Sequence, residues 1–118
     1  MSIDDLKTKV DDVALRRAQD FFKLPPGVDE SIVKMDILAA RRKIMGEVGE
    51  DLDSFYDDNP IFQAAVLLDA YTHYDNRDKD STAMIFEHPA YKNDINALKD
   101  DYRVMLELYG PDVGNDDG

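Results

Sequence analysis

The run from Asn59 to Arg77, NPIFQAAVLLDAYTHYDNR, is apolar on nearly every side, so the rest of the chain has to be built around it. Its start is marked twice. Asn59 can accept hydrogen bonds from the first free amides, and Pro60 stands at the first helical position, where its missing N–H and fixed φ cost nothing. Phe62, Ala65, Val66, Asp69 and His73 follow the three-and-four spacing of one face, while Ile61, Ala64, Leu67, Leu68, Ala70, Tyr71 and Tyr74 fill most of the remainder. Asp69 interrupts the apolar run too early for a bilayer span, so the segment reads as the central helix of a bundle, with no membrane role.

Three further helical patterns are available to cover it. Ser2 can cap a first helix over about residues 3–23, with Asp4 and Asp5 suiting its N-terminal dipole and a possible break at Asp11 and Asp12. Leu6, Val10, Val13, Arg17 and Phe21 define its face, flanked by Ile3, Ala14, Ala18 and Phe22, and Leu24-Pro25-Pro26-Gly27 ends it. Asp29 offers a cap for a second helix to about Val48, carrying Ile32, Met35, Leu38, Ala39 and Met45 with Ile37, Ala40, Ile44 and Val48 as a flank. Gly46 and Gly49 close that pattern, and Phe55 and Tyr56 are placed to pin the following acidic link to the core. Asn93 or Asp94 can cap the last helix, where Ile95, Leu98, Tyr102, Met105, Leu106 and Tyr109 share a stripe before Gly110-Pro111 stops it. The expected fold is therefore all-α: a small bundle of four main helices, near residues 3–23, 29–48, 60–77 and 94–109, with a long loop before the last. Residues 1–109 form one domain, and the acidic tail 110–118 is expected to be disordered.

Chemistry is sparse. The chain has no cysteine, which removes disulfides, thiolate metal sites and cysteine nucleophiles and fits an intracellular protein, and MSIDDLKTKV lacks the layout of a signal peptide. Asp69, His73 and Arg77 lie four apart on one face, a spacing that serves a structural hydrogen-bonded ladder better than a metal site when no second carboxylate cluster matches it. No phosphate loop, nucleophile elbow or paired-histidine motif is present, so no catalytic residue, cofactor or metal is expected and the chain is not read as an enzyme. A small helical metal-dependent nucleotide hydrolase is the enzyme class most easily confused with it. Glu47 and Glu50 straddle Gly49 at a helix end, and no partner motif follows.

Partner binding is the better expectation. The net charge of −12, from 26 acidic against 14 basic residues, argues against a broad phosphate-gripping surface. It leaves three readings: plain solubility, an acidic wall past which DNA slides without sticking, or an acidic mimic of DNA that inhibits a DNA-binding protein. Lys34, Arg41, Arg42 and Lys43 form the one basic cluster, suited to a solvated face or to pairing with a neighbouring acidic subunit. In the loop Asp78–Asn93, Met84, Ile85 and Phe86 make a small apolar run that a purely solvated connection would not keep. These three, with Tyr91 and with Asp112 and Val113 in the tail, are the candidate partner-binding residues.

The arrangement resembles a known family. A Pro-led central helix rich in Ala, Leu and Tyr, ending in Tyr74-Asp75-Asn76-Arg77, then a long loop and an amphipathic last helix, is similar to the small head-tail connector (adaptor) proteins of tailed bacteriophages. Asp29-Glu30-Ser31-Ile32 and Ala39-Ala40-Arg41 resemble that family's second helix, and the likeness runs from about Ser2 to Arg103. The family's aromatic pair in the central helix is represented by Tyr71, His73 and Tyr74. The resemblance implies a structural virion protein at the head-tail interface, assembled in the host cytoplasm. It implies a homo-oligomeric, dodecameric ring in the virion, whether or not the isolated subunit is a monomer. Such a ring sits beneath the portal protein, lets DNA through without specific binding, and docks a head-completion (stopper) or tail protein.

Overall fold

The computed structural model describes residues 2–75 and 88–109, and among them every regular element is an α-helix. The helices are α1 (Ile3–Thr8), α2 (Asp12–Phe22), α3 (Glu30–Val48), α4 (Pro60–Asp75) and α5 (Pro89–Tyr109). Four of them are longer than two turns and pack as an all-α bundle, as the four capped patterns predict.

The break at Asp11 is real, and it changes which face is buried. Ser2 caps α1 by accepting a hydrogen bond from the Asp5 amide at 3.1 Å, and Asp11 caps α2 by accepting from the Ala14 amide at 2.8 Å. Between the two caps the backbone is extended at Lys9, so helical phase does not carry from α1 into α2. The stripe drawn through Leu6, Val13 and Phe21 is therefore wrong beyond Val10. Val13 and Phe21 are exposed; α2 buries Ala18 and Phe22 of the expected flank, together with Leu15 and Gln19, which the stripe left out.

Two helix starts also differ from expectation. Asp29 does not cap α3 with its side chain: its backbone is left-handed, at φ 52°, and its Oδ2 accepts instead from the Tyr74 hydroxyl at 2.5 Å, joining the start of α3 to the end of α4. The last helix begins at Pro89, not near Asn93. His88 Nδ1 accepts from the Ala90 amide at 3.2 Å, so His88-Pro89 uses the same first-position proline as Asn59-Pro60. At Asn59 the expectation holds, since Oδ1 accepts from the Ile61 and Phe62 amides, both at 3.1 Å.

α4 packs against α2, α3 and α5, but α3 packs against all four other helices, so the centre of the bundle is the α3–α4 pair and not α4 alone. Phe62, Ala65, Val66, Asp69 and Ala70 form its buried face, whereas Leu67 and Leu68 are half-buried and Ala64 and Tyr71 reach solvent. Along α3 the expected flank is the buried side, and of the expected stripe only Met45 is buried as predicted. Val33, Ile37, Ala40, Ile44 and Met45 are buried, while Met35 is 55% exposed and Ala39 is exposed too. The link after α3 is pinned as the aromatics suggest: Tyr56 is buried, its hydroxyl donates to the Gly49 carbonyl, and its ring lies 4.7 Å from Phe62. Phe55 stands edge-on to Tyr102 at 5.1 Å, so one aromatic group joins the link, α4 and α5.

Candidate functional site

The basic cluster of α3 does not survive as one patch, because helical geometry sends its members to different neighbours. Arg41 is buried, which is a correction: its Nη1 donates to the Leu6 carbonyl at 3.2 Å and the Lys9 carbonyl at 2.8 Å, satisfying acceptors at the C-terminal end of α1. Burial lowers the pKa of this guanidinium, and the Asp11 carboxylate opposes that shift. Arg42 is exposed and donates Nε to the Lys7 carbonyl at 3.0 Å. Lys43 turns the other way and pairs with Asp69 on α4 at 3.2 Å. Lys34, half-buried, and the exposed Arg42 remain on the outer face of α3, where a partner can meet them.

Of the residues expected to bind partners, Tyr91 is corrected by its burial. Only 1% of it is accessible, inside the core beneath the first turns of α5, and this follows from the early start at Pro89. Met84, Ile85, Phe86, Asp112 and Val113 lie outside the described residues.

Around Tyr91 sits a buried polar cluster. Asp69 is fully buried. Its Oδ1 accepts from Lys43 Nζ at 3.2 Å and lies 3.6 Å from His73 Nε2, so the first two members of the expected ladder do meet, while Arg77 is outside the described residues. The Lys43 ammonium also lies 5.6 Å from the centroid of the Tyr91 ring. Asp69 Oδ2 and the Tyr91 hydroxyl find no hydrogen-bond partner among the described residues. Burial raises the Tyr91 phenol pKa, and the carboxylates of Asp69 and Glu47 raise it further. This cluster binds α3, α4 and α5 together. It does not border the 160 Å³ cleft between α2, α3 and α4, which is lined by Val13, Arg17, Ile37, Tyr56, Phe62 and Val66 among others.

More of the surface points to partners than to substrates. The last turns of α5 stay apolar beyond the core: Ile95, Leu98 and Tyr102 are buried, but Met105 and Tyr109, which continue their stripe, are 39% and 70% exposed, and Val104 and Leu108 beside them are 49% and 65% exposed. Beside them Phe55 and Ile61, both half-buried, complete an open groove bordered by Asp58 and Asp101. A second apolar strip, on α3, consists of Met35, Leu38 and Ala39 between Lys34 and Arg42. Met35, Leu38 and Ala39 were placed in the core by periodicity alone. The signal that separates the faces is Val33, whose register groups it with Ile37, Ala40 and Ile44.

Among the described residues no group of three or more His, Asp or Glu side chains is placed to hold a metal ion, and no helix is long and apolar enough to cross a membrane. Comparison with protein-family models, with curated proteins and with solved structures finds no match in any of the three.

Proposed function

We propose that the chain is a non-catalytic helical adaptor that acts by assembling with copies of itself, in the manner of the phage head-tail connector proteins it resembles. In that role it forms a ring beneath a portal protein in the virion, continues the DNA channel, and docks the head-completion or tail protein that follows. The observation that carries this reading is the end of α5, where Val104, Met105, Leu108 and Tyr109 stand exposed in one helical stripe beyond the reach of the bundle. Apolar side chains grouped in this way mark a surface that another protein covers. The net charge of −12 supports the same reading, since an acidic ring lumen repels the DNA backbone and leaves it free to slide.

Negative-stain microscopy combined with mass measurement over a concentration series tests the proposal. Closed rings that become more abundant with concentration are the expected result. A chain that stays monomeric or dimeric at every concentration, and instead captures a DNA-binding protein, overturns the adaptor in favour of the acidic mimic.

A further inference from the structure

Two exposed apolar surfaces of this chain differ in charge. On α3, Lys34 and Arg42 flank Met35, Leu38 and Ala39, and the spacing places all five on one side of the helix. Where the link after α3 meets α5, the groove formed by Phe55, Ile61, Val104 and Met105 is flanked by Asp58 and Asp101. The two surfaces share no residue. Each is apolar in the middle, one carries cations at its margin and the other carboxylates, so each supplies what the other lacks.

We propose that the α3 strip of one copy docks into the α5 groove of the next. This rests on the assembly reading above and adds to it the pair of surfaces that meet. Because the surfaces are dissimilar, the contact is heterologous: every copy that uses its strip leaves its groove open for another, and growth continues until a ring closes or a filament runs on. An isologous contact would stop at two. Like-charge repulsion sets the register as well. Strip against strip brings Lys34 and Arg42 of two copies together, groove against groove brings carboxylates together, and only strip against groove relieves both.

The absence of cysteine from the chain makes the contact directly testable in the intact chain. Met35→Cys and Met105→Cys are made in separate chains, mixed at high concentration and oxidised. The expected product is a cross-linked pair that contains one chain of each kind, with little from either variant alone. A second arm uses charge. Lys34→Glu with Arg42→Glu blocks the strip, and Asp101→Lys with Asp58→Asn blocks the groove, asparagine being chosen because residue 58 has φ 55°. Each variant alone should need at least about tenfold more protein to assemble, and an equal mixture should recover growth, because the carboxylates placed on one variant's strip meet the lysine placed in the other's groove. Circular dichroism confirms that these surface substitutions keep the fold.

The failures are distinct. Wild-type rings that form normally from the charge variants, without the mixed cross-link, overturn the choice of surfaces and leave assembly standing. A wild-type chain that never self-associates overturns both. A disulfide that closes within a single chain carrying Met35→Cys and Ile85→Cys would show that the strip is covered by its own chain, and overturns the proposal too.

Discussion

The Tyr91 hydroxyl is buried, and none of the described residues bonds to it. A hydroxyl in that position gives up its bonds to water and gains nothing in return, which costs about 1–3 kcal/mol. Tyr91→Phe keeps the ring that lies beside Lys43 and removes the unpaired group, so chemical denaturation should show the variant about 1 kcal/mol more stable at neutral pH. A loss of stability would mean that the hydroxyl is bonded after all. The same residue sets a pH response. The folded state holds the phenol protons of Tyr91 and Tyr56 above their ordinary value, chiefly through burial. A group whose pKa is raised on folding contributes stability that is complete below its unfolded pKa, about 10 for tyrosine, and that drains away as pH rises above it. Melting temperature should therefore fall above about pH 10, and fall less steeply for Tyr91→Phe. Equal slopes for the two proteins would show that Tyr91 keeps its proton no better folded than unfolded.

At the scale of single elements, Gly49 and Gly46 separate two reasons for a glycine at the end of α3. Gly49 has φ 142°, and a Cβ built on it would run into the ring of Tyr102, whose hydroxyl accepts from the Asp51 amide at 2.6 Å. Gly49→Ala should cost about 3 kcal/mol, from backbone strain and displacement of that ring together. Gly46 lies within the helix, with nothing near where a Cβ would go, and Gly46→Ala should add about 0.5–1 kcal/mol. Equal effects in thermal melts would show that the link is not held against α5 as described. These elements also show what periodicity can and cannot reveal. Asn59-Pro60 and Ser2 act through their immediate neighbours, so their roles were legible from sequence, as was the place of Gly49 at the end of α3 but not its contact with Tyr102. The inner face of α3 was legible only through the register of Val33 with Ile37, Ala40 and Ile44, because apolar residues occupy both sides of that helix, and packing against α4 buries Val33 while Met35 stays outside. Arg41 escaped for a similar reason: its partners, the Leu6 and Lys9 carbonyls, lie more than thirty residues away in sequence. The candidate surface suffered most. Its groove joins the link at Phe55 to Val104 and Met105 on α5, a juxtaposition no local pattern records.

For the molecule as a whole, charge decides how it meets DNA. Affinity for a duplex comes mainly from cations that replace counterions along the phosphates, and several must act together to hold the protein at moderate salt. The basic cluster of α3 cannot supply them as a group. Arg41 is spent on the carbonyls of α1, Lys43 faces the buried Asp69, and the face that keeps Lys34 and Arg42 carries Met35 and Leu38 between them. The remaining surface is dominated by carboxylates, as the net charge of −12 requires, and these repel the backbone at distances up to roughly the Debye length, about 10 Å at 0.1 M salt. The isolated chain should thus leave duplex DNA unretarded in a mobility-shift experiment even at low salt, where electrostatic attraction would be strongest. Retardation that disappears steeply as salt is added would reveal a phosphate-binding face and exclude an acidic channel wall. The double variant Arg41→Met and Lys43→Met provides the internal comparison. If both cations are occupied within the fold, their loss should lower the melting temperature while DNA behaviour stays unchanged, because Arg41 is held by the carbonyls of α1 and Lys43 by the Asp69 carboxylate.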